Sequence, residues 1–177
     1  MVVLIHAHPF VRRSTANRTL LAAIEDLHGL EVRDLYARYP DFSIDVRAEQ
    51  AALEAADALV IQHPIYWYAA PALLKLWMEE VLEYGWAYAE GGDRLRGKPF
   101  LWATTTGGGA DDYRPGGGHD RPFDDYMWPM LQTVRYCGMV WQEPFVVHDA
   151  HRLSHAALEQ HAARYRSLVD ALIRGNA

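Results

Sequence analysis

Apolar positions along the chain follow two alternating rhythms: short unbroken runs, and longer stretches at helical spacing. Val2-Val3-Leu4-Ile5 is a continuous β-branched and apolar run, the pattern of a central parallel strand covered on both faces. It breaks at His6-Ala7-His8-Pro9-Phe10. From Thr15, Leu20, Leu21 and Ile24 recur at helical spacing, and the helix ends near His28-Gly29. Glu31 to Tyr36 alternates polar and apolar, which predicts an edge strand with one wet side. Asp45 can cap a helix over 46–56 whose Glu49, Gln50 and Glu54 give it a solvated face. Ala58 to Gln62 is a second buried run, stopping at His63-Pro64 where the chain turns into Ile65-Tyr66-Trp67-Tyr68. Pro71 suits the first position of a helix whose apolar stripe is Leu73, Leu74, Trp77, Val81 and Leu82.

Gly85, Gly91, Gly92 and Gly97 make the next segment a loop. Pro99 to Thr104 is a third buried strand, followed by Thr105-Thr106-Gly107-Gly108-Gly109 and a long Gly- and Asp-rich loop to Pro122, a length usual for functional or mobile segments. Pro129 can start a helix that finishes at Cys137, with Gly138 past its end. Met139 to Val147 reads as the last strand. Ser154 can cap a final helix through Leu158, Tyr165, Leu168, Val169 and Leu172. Strand and helix thus alternate five times. That predicts one α/β domain over residues 1–177, a doubly wound five-stranded parallel sheet with helices on both faces. Such sheets bind ligands beyond the carboxyl ends of their strands. The segments His6 to Asn17, His63 to Tyr68 and Thr104 to His119 all follow strands and should share one cleft.

Composition narrows the ligand. Six Trp and ten Tyr in 177 residues supply flat walls for a planar molecule, and a net charge of −6 argues against a nucleic-acid partner. Cys137 is the only cysteine, which rules out a disulfide framework or a Cys-based metal cluster and fits the cytosol. No charged and apolar leader opens the chain, and no apolar run reaches bilayer length, so membrane contact is expected only through a partner.

The turn into the first helix carries Arg12, Arg13, Ser14, Thr15, Asn17 and Arg18, groups that suit a phosphate at a helix N-terminus but are equally consistent with an ordinary cap and solvated arginines. Thr105, Thr106, Gly107 and Gly108 are more informative. Glycines directly after a buried strand let backbone N–H groups reach the edge of a flat ring, and the hydroxyls add hydrogen bonds. Gly92-x4-Gly97-Lys98 resembles a triphosphate loop, yet Pro99 follows in place of a hydroxyl and a strand follows in place of a helix. Gly-x-Gly-x-x-Gly and Gly-x-Ser-x-Gly are both missing. His148, His151 and His155 have metal-compatible spacing but lack a completing ligand set apart from Asp149, so a solvated segment is expected there and no metal is assigned.

Taken together, His8-Pro9 with Ser14-x-x-Asn17, Asp34-Leu35-Tyr36, Pro40-Asp41-Phe42, His63 to Tyr68, Leu74-Lys75-Leu76-Trp77, Gly85-Trp86-Ala87-Tyr88, Thr104 to Gly109 and Tyr136-Cys137-Gly138 resemble the flavodoxin-like NAD(P)H:quinone reductases. Within that family the chain is most similar to the KefF-like ancillary proteins of glutathione-regulated potassium-efflux systems. The resemblance implies a homodimer with a bound flavin, FMN or alternatively FAD, that passes hydride from NADH or NADPH to a quinone. It also implies a cytoplasmic protein that sits at the inner membrane only through a potassium-efflux transporter. Carried over, His8, Ser14 and Asn17 hold the flavin phosphate and ribityl chain, with Thr15 and Arg18 nearby at that cofactor site. Pro64, Ile65, Tyr66 and Trp67 flank the ring, and Thr105, Thr106, Gly107 and Gly108 meet its edge. Tyr113 and His119 match by spacing a catalytic Tyr and His pair.

Overall fold

The computed structural model describes residues 1–175. Six parallel strands form one sheet: β1 (Val2–His6), β2 (Leu30–Asp34), β3 (Ala58–Pro64), β4 (Pro99–Thr105), β5 (Val140–Trp141) and β6 (Phe145–Val147). Their order is β2-β1-β3-β4-β5, and β6 also pairs with β4. Helices α1 (Thr15–Ala22), α2 (Leu35–Arg38), α3 (Val46–Ala55), α4 (Ala72–Val81), α5 (Asp124–Tyr136) and α6 (His155–Ile173) cover both faces. On one face Val3, Ile5, Leu59 and Trp102 pack under Leu53 of α3, Trp77 of α4 and Val134 of α5. On the other, Val2, Leu4, Val60 and Phe145 pack under Leu20 of α1 and Tyr165 and Val169 of α6. Strands buried on both faces read as unbroken apolar runs, which is why β1 and β3 were legible.

Several boundaries differ from expectation. The predicted last strand is two short ones: between Phe100 and Ala103 β4 advances three positions, while its partner advances four, from Trp141 to Phe145. The surplus residue and Pro144, which has no N–H to donate, break the ladder there. The edge strand stops at Asp34, whose carboxylate accepts from the Tyr36 and Ala37 N–H groups at 3.1 and 3.2 Å and turns the chain into α2. Helix α5 begins at Asp124, so Pro129 lies inside it. Asp124 and Asp125 favour the earlier start through the helix dipole. Pro71 sits one residue before α4, as its N-cap. Leu168 is 38% exposed, off the buried stripe of α6.

The solvated face expected of α3 is buried at Glu49 and Gln50. Glu49 accepts from Arg33 at 2.7 and 3.0 Å, from Tyr39 Oη at 2.5 Å and from Trp77 Nε1 at 3.0 Å. Burial works to raise its pKa, but these donors hold the carboxylate below its ordinary range. Gln50 donates to the Val81 carbonyl at 3.1 Å and to Glu83 at 2.8 Å. Periodicity reads a charged residue as solvated and is blind to partners brought from other elements.

Candidate active site

The strand order reverses between β1 and β3, and the register aligns the ends that meet there: His6 opposite Gln62, His63 opposite Thr104, Pro64 opposite Thr105. A cleft of about 660 Å³ opens at this point, lined by residues of the β1–α1 turn, the end of β3, the end of β4 and the start of α6.

The β1–α1 turn is built to leave donors free. Ser14 Oγ caps α1 by accepting the Asn17 N–H at 3.2 Å. Buried Asn17 then uses Nδ2 to reach Ser14 Oγ at 3.2 Å and Thr105 Oγ1 at 3.0 Å. The N–H groups of Thr15 and Ala16, both in the cleft wall, have no partner among the described residues. Nearby, His8 Nδ1 accepts the Phe10 N–H at 3.0 Å, so the neutral ring carries its proton on Nε2. Burial, reinforced by the neighbouring His6, lowers the His8 pKa to about 4. Arg13 lines the rim, 5.9 Å from the Phe10 ring.

At the end of β3, His63 is fully buried. Its Nε2 accepts Trp102 Nε1–H at 2.7 Å, and its Nδ1–H donates to the Pro64 carbonyl at 2.8 Å. This pairing fixes the tautomer and the turn at Pro64, while burial pushes the pKa down to about 4. Tyr66 to Ala69 then closes a two-residue hairpin with paired hydrogen bonds of 3.0 and 3.1 Å. Its central residues, Trp67 and Tyr68, have φ of 50° and 66°, a left-handed pair usually given to Asn and Gly. Tyr66 faces the cleft, edge-on to His8 at 5.9 Å; Trp67 points outward, 92% exposed.

After β4, the Thr106 N–H donates to Val147 O at 3.0 Å, Ala150 N–H to Thr106 O at 3.0 Å, and Asp149 N–H to Gly108 O at 2.9 Å. The N–H groups of Gly107 and Gly108 have no partner among the described residues. A Cβ on Gly107 would meet only the His151 ring at 3.7 Å, whereas one on Gly108 would lie 2.5 Å from His119 Nε2.

The loop that follows is folded onto itself: Asp112 accepts the Gly109 N–H at 2.8 Å, and the His119 N–H donates to Asp112 O at 3.0 Å. Tyr113 is buried, stacked on His119 at 4.3 Å and packed against Phe123, Tyr126 and His148. Burial pushes its phenol above the ordinary range. His119 Nδ1 lies 3.4 Å from Tyr68 Oη.

The structure therefore brings His8, Ser14, Asn17, Pro64, Ile65, Tyr66, Thr105, Thr106 and Gly107 into one wall. Arg18 is exposed outside it, and Trp67, Gly108, Tyr113 and His119 stand beside it without lining it. Arg13, named with the turn, lines it as well, and sequence reasoning missed Ala150, His151 and Leu153, which also line it. The segment expected to be solvated divides: His155 is exposed beside Glu159, but His148 packs against Thr106 and Tyr113, and His151 enters the cleft wall. The available signal was position, since His148 sits at the carboxyl end of a strand, directly after β6, where His6 and His63 are among the last residues of β1 and β3.

An open parallel sheet in the order 2-1-3-4-5 with its cleft at the β1–β3 reversal defines a flavodoxin-like protein. The chain belongs to the Flavodoxin_2 family, of flavodoxin-like fold, whose profile matches residues 1–169. It is 46% identical over 171 residues to the glutathione-regulated potassium-efflux system ancillary protein KefF of Klebsiella pneumoniae, covering 96% of each chain. Among solved structures, a thermophilic tryptophan halogenase from Streptomycin violaceusniger superposes with a TM-score of 0.91 at 36% identity, covering 94% of this chain and 97% of that one. General stress protein 14 of Treponema denticola, in complex with FMN, gives 0.89 at 39% identity over 97% and 98%. An NADPH-quinone reductase from P. pentosaceus gives 0.86 at 26% identity over 95% and 96%.

Proposed function

We propose that this chain is a flavin-dependent NAD(P)H:quinone oxidoreductase that binds FMN, with FAD as the alternative. One observation carries the reading: a single cleft is served by two sets of unclaimed backbone donors, Thr15 and Ala16 at a helix N-terminus and, beyond a strand end, Gly107 in the wall with Gly108 beside it. The first set suits a phosphate and the second the polar edge of a planar ring, and FMN joins the two. Ser14, Asn17 and His8 Nε2–H complete the phosphate and ribityl end, and Arg13 lies closer to that role than Arg18. Pro64, Ile65 and Tyr66 flank the ring. The likeness to the FMN-bound stress protein and to the NADPH-quinone reductase supports this choice of ligand and reaction.

A bound flavin supplies two-electron hydride chemistry. The protein supplies orientation and charge. Its phenol raised by burial, Tyr113 keeps its proton at neutral pH and remains a donor, and His119 is stacked against it. These two stabilise charge that develops on a bound quinone or on the ring. NADH or NADPH and the quinone use one cleft in turn, a ping-pong order. Trp67, Tyr68, Tyr84, Trp128 and Tyr136 are exposed aromatics that a second copy would cover, which supports a homodimer.

The KefF relatives favour a second reading, a regulatory subunit docked on a potassium-efflux transporter, with reductase activity incidental. No helix among the described residues is long and apolar enough to cross a membrane, so on this reading a cytoplasmic protein meets the inner membrane through its partner. Initial rates at several quinone concentrations test the catalytic reading. Parallel double-reciprocal lines are expected; intersecting lines contradict the shared cleft, and flavin-loaded protein without turnover favours the docking role.

A further inference from the structure

The turn between β6 and α6 holds a hydrogen-bonded relay with no assigned task. His148 Nδ1 lies 3.0 Å from Thr106 Oγ1, and the same hydroxyl lies 2.8 Å from the Gly108 carbonyl. A carbonyl brings no hydrogen, so the Thr106 proton occupies the contact to Gly108. Nδ1 must then donate to Thr106, which fixes the neutral imidazole with its proton on Nδ1. The Asp149 N–H reaches the same Gly108 carbonyl at 2.9 Å, and the Ala150 N–H reaches Thr106 O at 3.0 Å. The carbonyls on either side of Gly107 are thus pinned from the β6–α6 turn, and the free N–H groups of Gly107 and Gly108 are held between them. On its other side the His148 ring meets Phe123 edge-on at 5.0 Å and Tyr113 at 5.4 Å.

We propose that His148 is a positioning residue for the bound flavin: through the Thr106 hydroxyl it sets the angle at which Gly107 and Gly108 present their N–H groups, an inference that rests on the flavin reading. Glycine has no side chain to restrict its own backbone, so orientation at 107 and 108 comes from neighbouring contacts. His148 supplies one that is charge-neutral and directional, wedged between this segment and the aromatic loop.

Two substitutions separate donor from ring. His148→Asn can place an amide nitrogen near the Nδ1 position and lacks the ring; His148→Phe keeps the ring and lacks the donor. Apoprotein of each is titrated with FMN by fluorescence, with the visible band of the bound flavin and the apoprotein melting temperature recorded alongside. The expected result is a Kd raised about tenfold in the Phe variant, the upper range for one lost hydrogen bond, with a shifted band and an unchanged melting temperature. The Asn variant should stay within about threefold of wild type. Equal affinity and spectrum in the Phe variant overturn the proposal, as does a loss in both variants that tracks a lower melting temperature. Wild type that binds neither FMN nor FAD contradicts the flavin reading itself. Long-range ¹H–¹⁵N imidazole spectra of the unsubstituted protein give an arm that needs no variant to fold: a proton on Nδ1 of His148 is expected, and one on Nε2 overturns the relay.

Discussion

Asn17 and Thr105, 88 positions apart in sequence, are joined by a 3.0 Å hydrogen bond from Nδ2 to Oγ1 that ties the first turn of α1 to the end of β4. Asn17 is 1% exposed, and Gln62 on β3 donates to its backbone carbonyl at 3.2 Å. The cleft is therefore held at the β1–β3 reversal by side chains from the three elements that meet there. Asn17→Leu removes the donor and leaves the Thr105 and Ser14 hydroxyls short of a partner. Apoprotein stability should fall by about 1–3 kcal/mol in urea unfolding, and flavin affinity should fall with it. Stability within about 0.3 kcal/mol of wild type would show that the tether carries little.

The two buried imidazoles make stability depend on pH. His8 and His63 are held near a pKa of about 4, below the ordinary imidazole value of about 6.5. Between these values the unfolded chain binds protons that the folded chain refuses, so lowering the pH favours unfolding. The contribution is complete above about pH 6.5 and is lost as the pH falls toward about 4. Urea midpoints of the apoprotein should drop steadily over that window, and the His63 C2–H resonance should not move between pH 7 and 5. A flat midpoint, or a titrating His63, would count against its buried neutral state.

Gly107 and Gly108 should differ under the same substitution. A Cβ at 107 makes an ordinary 3.7 Å contact, while one at 108 comes within 2.5 Å of His119 Nε2 and must displace that ring from Tyr113. Gly108→Ala is expected to lower quinone turnover at least tenfold, the scale of one misplaced charge-stabilising group, with Gly107→Ala closer to wild type. Thermal unfolding of both apoproteins should stay near wild type. Equal turnover in the two variants would detach His119 from catalysis.

Tyr113→Phe and His119→Gln address the chemistry directly. Each keeps much of the packing and removes one phenolic donor or one titratable group. Stopped-flow of the separate half-reactions should show one of them slowed by roughly 10- to 1,000-fold with flavin content unchanged. Rates within about twofold of wild type, together with lost activation of a partner transporter, would move these residues to the docking reading.

Much of the frame was legible because β1, β3 and β4 are buried on both faces and announce themselves as apolar runs, and because their ends carry His, Pro, Thr and Gly where a switch-point cleft needs them. What was not legible depends on partners distant in sequence. Glu49 and Gln50 look solvated until Arg33, Tyr39, Trp77 and Val81 arrive. His148 looks like a surface histidine because the break between β5 and β6 hides where the last strand ends. Arg13 and Arg18 both belong to the turn in sequence, and which of them lines the cleft is set by side-chain direction at the helix entry, which spacing does not encode.

The presence of a flavin is the claim on which the others stand. Purified protein is heated, and the released ligand is read by absorption and mass; the supernatant should show a flavin spectrum with the mass of FMN, at close to one per chain, and the emptied protein should rebind it. A colourless supernatant, with apoprotein that binds neither FMN nor FAD, would contradict the account.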